Sequence, residues 1–203
     1  MGDSIFSTYK TGENRVTASI LAVLRSLSLT RCEQILAALV ERSEFELIRF
    51  QNQPSGRSEG TPDAEIVSSC RLLIETKTRS NAVNVSQLRR HLKRFDGSGE
   101  TTRILLVLTP DVSQPPQIDE IGDHRLAWAS FASLDQAIDE LFEDKEEVIS
   151  EREAFLLRQL QTMLDNEGLI GTSKNTLVIP AKNAWPEYKQ FMAYVCQANR
   201  SFK

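Results

Sequence analysis

The segment RILLVLTP, residues 103–110, constrains the fold of this chain more than any other feature of the sequence. It is a continuous apolar run ended by proline, whereas a strand with one face in water alternates apolar and polar residues. The run therefore predicts a strand that is buried on both faces. Such a strand needs other layers of structure packed above and below its sheet.

The periodicity of the other segments supplies those layers. Apolar residues at spacings of three and four predict a first helix over residues 13–27, with Thr11 as its cap. Thr30 and Glu33 match a capping box and predict a second helix through residue 40. Further strands are predicted over 45–51, 63–69, 71–78 and 125–131, and further helices over 84–95 and 133–144. The order predicts an α/β fold in which a mixed β-sheet core is flanked by helices.

The strands over 63–69 and 71–78 follow each other closely, so they form either a β-hairpin or a sharp strand-to-strand turn. In an antiparallel pair, Asp63 at the start of the first strand returns close to Glu75 and Lys77. Alternation along the second strand places Glu75 and Lys77 on one face of the sheet. The sequence therefore predicts that these three charged side chains converge.

Converging carboxylates repel each other unless a cation lies between them, and hard oxygen ligands favour Mg²⁺ or Mn²⁺. A nearby lysine can position a water molecule and stabilise a phosphate that is being attacked. The plainer interpretation is an exposed ion pair between Glu75 and Lys77, with Asp63 capping a turn.

The spacing of these residues resembles a known motif. Pro62-Asp63, eleven further residues and then Glu75-Thr76-Lys77 resemble the PD-(D/E)xK motif of the restriction-endonuclease-like nuclease superfamily. The resemblance extends to Glu13 on the first helix and Gln87 on the helix after the lysine strand, and it implies a core of αβββαβ order over about residues 10–110. The metal ligands that it implies are Asp63, Glu75 and the carbonyl of Thr76. The other catalytic residues that it implies are Lys77, Gln87 and Glu13.

Charge is distributed unevenly along the chain, whose net charge is -4. Residues 71–94 carry seven Lys or Arg against Glu75 alone, a net +6, whereas residues 111–167 carry a net -11. The basic segment indicates either a phosphate-facing surface or a solvated helix face. The residues predicted to bind nucleic-acid phosphates are Arg79, Arg89, Arg90, Lys93 and Arg94. His91 shares a helix stripe with Gln87, and its role is left open.

Residues 146–203 differ in character from residues 1–145, which form the nuclease-like domain. They predict a small, mainly helical C-terminal extension: a long charged helix over 146–166, then a short strand and an aromatic-rich helix. About 35 residues after Gly168 are too few to enclose those aromatics as an independent domain. The segment therefore forms a homodimer interface, folds back on its own core, or belongs to a module cut short.

Two features of the sequence bear on location. No apolar run approaches the roughly 20 residues that span a bilayer, so no membrane segment is expected. Three cysteines without a Cys-x-x-Cys pair favour a reducing cytoplasm over a disulfide framework or zinc site.

The functional prediction is a Mg²⁺-dependent nuclease that hydrolyses the phosphodiester bonds of nucleic acid, with DNA rather than RNA as the expected substrate. The family resemblance points loosely to prokaryotic restriction, repair or antiphage defence. The alternative is a catalytically inactive scaffold on the same fold that binds nucleic acid or a protein partner. The intact set of Asp63, Glu75 and Lys77 argues against this alternative, because a degenerate site usually loses a member.

Overall fold

The computed structural model describes residues 12–41, 47–52, 64–68, 70–97, 99, 102–144 and 148–170. These residues form a mixed α/β structure with six α-helices and five strands. The helices are α1 (Glu13–Leu24), α2 (Leu29–Val40), α3 (Val85–Leu92), α4 (Pro116–Ile121), α5 (Phe131–Glu143) and α6 (Glu151–Asn166). The strands are β1 (Ile48–Asn52), β2 (Ala64–Ser68), β3 (Cys70–Thr76), β4 (Thr102–Thr109) and β5 (Leu126–Ser130). A 3₁₀ turn, Lys93–Phe95, continues α3.

The centre of the fold is a parallel sheet with the strand order β3-β4-β5. The apolar run identified in the sequence forms β4, the middle strand, and its last six residues are buried. Ile104, Leu106 and Leu108 face the larger hydrophobic core, which α1, α2, α5 and α6 cover. Leu105 and Val107 face a smaller core beneath α3 and α4. The prediction of a strand buried on both faces, with helices on each side, is confirmed.

The predicted hairpin between residues 63–69 and 71–78 is wrong for the residues that the structure describes. β2 pairs antiparallel with β1, Ile48 opposite Ser68, while β3 pairs parallel with β4, Glu75 opposite Val107. One residue separates β2 from β3, fewer than the two-residue loop of a tight hairpin. In this sheet both faces of β3 have apolar neighbours, because Leu72 and Ile74 pack against the larger hydrophobic core and Leu73 against the smaller one.

The predicted capping box of the second helix is also wrong. α2 begins at Leu29, and Ser28 precedes it, so Thr30 lies inside the helix. The Glu33 carboxylate instead accepts a hydrogen bond of 2.8 Å from the backbone N–H of Leu47. A tertiary contact with the chain leading into β1 thus replaces the local cap.

Helix α4 was not predicted, because six residues after Pro115 are too few to show helical periodicity.

Helix α6 was predicted, and the structure shows where its apolar side lies. Leu156, Leu160 and Leu164 are buried in the same core as α1 and α2. Folding back on the chain's own core therefore holds for this helix. Its predicted continuation after residue 170 and the division at residue 145 stay predictions. None of the helices in the described ranges is long and apolar enough to cross a membrane.

Candidate active site

The candidate site lies at the carboxyl end of β3, the outer strand of the parallel sheet. Successive side chains on a strand point to opposite faces, so neighbouring residues of β3 meet different helices. Glu75 faces α3, where the Gln87 side-chain amide donates a hydrogen bond of 2.7 Å to Glu75 Oε1. Thr76 faces α1, where its Oγ1 lies 2.6 Å from Thr17 Oγ1. The end of β3 is therefore fixed from both sides.

Lys77 joins the two sides of the site. Its Nζ lies 2.7 Å from Glu75 Oε1 and 3.3 Å from Glu13 Oε2. Lys77 is only 8% exposed, and its backbone N–H donates to the Leu108 carbonyl on β4. Glu13, Glu75, Lys77 and Gln87 were all predicted as site residues, and the structure brings them together from α1, β3 and α3.

The environment of Lys77 fixes its protonation. Burial by itself lowers the pKa of the Lys77 ammonium, because a charge is disfavoured away from water. The hydrogen bond that Lys77 donates to Glu75 and the negative charges of Glu75 and Glu13 together outweigh that effect and raise the pKa of Lys77 above its ordinary value. Lys77 is therefore a fixed cation at neutral pH, so it can donate to a phosphate oxygen but cannot accept a proton.

His91 belongs to the same cluster, although its role was left open in the sequence. Its Nε2 lies 3.2 Å from Glu75 Oε2, but without the alignment of a hydrogen bond. This nitrogen is shielded from solvent and makes no hydrogen bond among the described residues. The signal in the sequence was spacing: His91 follows Gln87 by one helical turn, so both reach the same carboxylate.

Thr17 was missed as a contributor to the site. It lies one turn after Glu13 on α1, and its hydroxyl donates to the Glu13 carbonyl at 3.0 Å as well as contacting Thr76. The contact arises from the packing of α1 on β3, which no sequence spacing indicates, because 59 residues separate Thr17 from Thr76.

The carbonyl of Thr76 points away from β4, to the side of β3 on which no strand of the described residues pairs with it. In a parallel ladder, successive peptide groups point alternately to one side and the other. Because the N–H of Lys77 is bonded to Leu108 of β4, the carbonyl of Thr76 is directed away from β4. On that side lies an open pocket of about 420 Å³, lined by residues of α1, β3 and α3 that include Glu13, Glu75 and Thr76.

The oxygen donors around this pocket match the chemistry of a hard divalent cation. Glu13, Glu75 and the Thr76 carbonyl offer the ligand type that Mg²⁺ and Mn²⁺ prefer. Within the described ranges, no three acidic, His or Cys side chains are grouped as metal ligands. Asp63, the remaining predicted ligand, lies outside those ranges. The donor types thus fit the ion, and a complete ligand set needs a group beyond the described side chains.

The predicted phosphate-binding residues lie on the outer surface beside this cluster. All five are exposed: Arg79, Arg89, Arg90, Lys93 and Arg94. Four of them belong to α3 or the turn that continues it, the element that also carries Gln87 and His91. Arg89 lies 3.6 Å from Glu120 on α4, in an ion pair open to solvent.

The meaning of this cluster depends on its own geometry, because the chain matches no protein-family model, and no curated protein and no solved structure is significantly similar to it.

Proposed function

We propose that this chain is a divalent-cation-dependent phosphodiesterase that cleaves nucleic acid, with DNA as the first substrate to test. One observation carries the proposal. Glu13, Glu75, Lys77 and Gln87, chosen from the sequence for their resemblance to nuclease residues, form one hydrogen-bonded cluster. They come from three different elements, so adjacency in the chain does not account for their meeting.

The ligands of the ion in this proposal are Asp63, Glu75 and the carbonyl of Thr76, with Mg²⁺ or Mn²⁺ as the cation. When bound, such an ion acidifies water and neutralises charge on the phosphate that is attacked. Lys77 supplies a fixed positive charge at a buried position, where electrostatic stabilisation of a developing anion is strong. Gln87 and Glu13 orient the Glu75 carboxylate and the Lys77 ammonium through the contacts already described.

The substrate surface in this proposal is the outer face of α3. Its exposed basic residues contact backbone phosphates without reading sequence, and they lie on the same helix as Gln87. The fold to which this function belongs is the restriction-endonuclease-like one, and the described order from α1 to β4 is compatible with it, with α2 as an addition. Location in the cytoplasm and a role in restriction, repair or antiphage defence are parts of the same proposal.

The experiment is Mg²⁺-dependent nicking of supercoiled plasmid DNA by the purified chain. Glu75→Gln and Lys77→Met should each slow nicking about a hundredfold or more, as loss of a charge-stabilising group does at other active sites. Glu143→Gln is the matched control, because it makes the same change of charge at the exposed end of α5 and should cleave normally. Chelation of the metal should stop cleavage by every variant.

Three results would contradict parts of the proposal. Undiminished cleavage by folded Glu75→Gln would place the catalytic site elsewhere. Cleavage that persists in chelator would exclude the cation. Binding of DNA and RNA without cleavage of either, at any divalent cation tested, would favour the inactive scaffold instead.

A further inference from the structure

We propose that His91 is a positioning residue of the candidate site, which holds the Glu75 carboxylate in the orientation that a divalent cation needs. The inference rests on the proposed function, because the ion site is the same one. His91 does not contact the substrate in this proposal. It acts through Glu75.

The geometry divides the two oxygens of Glu75 between different neighbours. Oε1 accepts hydrogen bonds from Lys77 and Gln87, both at 2.7 Å. Oε2 has His91 Nε2 at 3.2 Å. Two donors therefore hold Oε1, whereas Oε2 has the unaligned His91 Nε2 as its neighbour among the contacts of the described residues.

The environment of His91 points to Glu75 as the partner of its Nε2 atom. Its side chain is 23% exposed, yet Nε2 itself is shielded from water and has no hydrogen bond among the described residues. A buried nitrogen without a partner costs free energy, so its proximity to a carboxylate calls for an explanation. The charged groups that face it from neighbouring elements are Glu75 of β3 and, beyond it, Lys77. A small rotation of the ring would align Nε2–H with Oε2.

The consequence for ion binding follows from the role of outer-sphere partners. Groups that hydrogen-bond a metal-ligating carboxylate fix its orientation, and their loss typically weakens metal affinity 10–100-fold. His91→Leu keeps the size and apolar packing of the side chain but removes the nitrogen. We expect this variant to bind Mn²⁺ about tenfold more weakly than the unmodified chain. His91→Gln, which places an amide nitrogen near the same point, should retain most of the affinity.

The first readout is the Mn²⁺ dissociation constant from calorimetry at one fixed pH, with no substrate present. The matched control is His124→Leu, because His124 is the only other histidine in the chain. Its side chain is 91% exposed beside Asp123, just before β5 and hence near the opposite edge of the parallel sheet from Glu75. This control should bind Mn²⁺ unchanged.

The second readout needs no variant of His91. Two histidines give two sets of imidazole signals in a ¹⁵N-histidine NMR spectrum, and His124→Leu assigns them. Substoichiometric Mn²⁺ should broaden the His91 signals before those of His124, and Glu75→Gln should abolish that selectivity. In the metal-free protein, Glu75→Gln should shift the His91 signals and leave those of His124 in place.

The outcomes separate the two proposals. Unchanged Mn²⁺ affinity in His91→Leu, with an intact site in the unmodified chain, overturns the role of His91 and leaves the proposed function standing. Equal weakening in His91→Leu and His91→Gln also overturns it, because ring packing rather than the nitrogen would then matter. If the unmodified chain binds no Mn²⁺ or Mg²⁺, both proposals fail together.

Discussion

Replacing Lys77 with methionine should destabilise the protein as well as inactivate it. A lysine that is exposed at the end of a strand supplies no core packing, so its replacement would leave the fold intact. In the structure Lys77 is 8% exposed, and its ammonium neutralises Glu75, whose side chain is 15% exposed. Methionine preserves the apolar stem of the side chain, so the variant isolates the loss of charge.

The magnitude follows from the two contacts that are lost. A hydrogen bond to a charged group contributes about 1.5–3 kcal/mol, and the contact of 2.7 Å with Glu75 is of that kind. The contact with Glu13 adds less, because that carboxylate is 44% exposed and solvent screens it. Gln87 still donates to Glu75 after the substitution. We therefore expect Lys77→Met to lower the free energy of unfolding by about 2 kcal/mol.

A double-mutant cycle tests whether this loss comes from the ion pair. Lys77→Met leaves the charge of Glu75 without its cation, and adding Glu75→Gln removes that charge. The double variant should therefore be more stable than the sum of the single effects predicts, by at least about 1 kcal/mol. Urea denaturation followed by circular dichroism measures each corner, and Glu143→Gln replaces Glu75→Gln in a control cycle that should be additive.

The pH dependence has a definite sign. Because the folded-state pKa of Lys77 is raised, its contribution to stability is complete below the ordinary lysine pKa of 10.5. That contribution is lost as the pH rises through the folded-state pKa. The stability difference between the unmodified chain and Lys77→Met should therefore be constant near neutrality and shrink at alkaline pH. Additivity within about 0.5 kcal/mol, or a difference that grows with pH, would refute the reasoning.

Two further predictions concern binding and assembly. Arg90→Ala should lower the slope of log affinity against log salt concentration for DNA binding by about one unit. The control is Arg152→Ala, at an exposed position on α6, which should leave the slope unchanged. A changed sequence preference at constant slope would mean that Arg90 reads bases. Residues 146–203 are predicted to contribute to a two-fold homodimer that presents two sites to one duplex, through surfaces other than the apolar side of α6, which is buried in the chain's own core. Sedimentation at micromolar concentration should then show twice the mass of one chain, and a monomer would remove this part of the proposal.

The sequence predicted the core well, because burial enforces periodicity. The stripe of Val16, Ile20 and Val23 on α1 is buried as expected, since a helix in contact with a sheet has no other way to cover its apolar side. Local signals were less reliable. The pairing of Thr30 with Glu33 suits an isolated helix start, yet the contact between Glu33 and Leu47 prevails in the folded chain, because a tertiary hydrogen bond can replace a local one.

The site was partly predictable for a related reason. Alternation fixes the relation between Glu75 and Lys77, and helical spacing fixes that between Gln87 and His91, so each pair follows from local geometry. No rule of spacing could place Glu13 beside Lys77, since 64 residues separate them and only the packing of α1 on β3 joins them. The resemblance to a nuclease motif supplied Glu13 where periodicity could not.

The proposed set of metal ligands depends on the position of Asp63, which lies outside the described residues. Strands rise about 3.3 Å per residue. If the chain reverses its direction between β2 and β3, the displacement along one strand nearly cancels the displacement along the other. If it continues in one direction, they add to well over 30 Å, and Asp63 cannot share an ion with Glu75, because ligand oxygens lie about 2.1 Å from Mg²⁺. The described parts of β2 and β3 do not pair with each other. Any such reversal therefore occurs without hairpin pairing.

Comparing Asp63→Asn with Glu13→Gln decides between these geometries. If Asp63 is a ligand, Asp63→Asn should abolish detectable Mn²⁺ binding and plasmid nicking, because a neutral amide replaces a charged oxygen ligand. Glu13→Gln should then cause the smaller loss, since Glu13 acts through Lys77. The reverse order, with Asp63→Asn binding and cleaving normally, would make Glu13 the second carboxylate of the site. The two carboxylates of the site would then come from α1 and β3, and the resemblance to the PD-(D/E)xK spacing would be coincidental at its first residue.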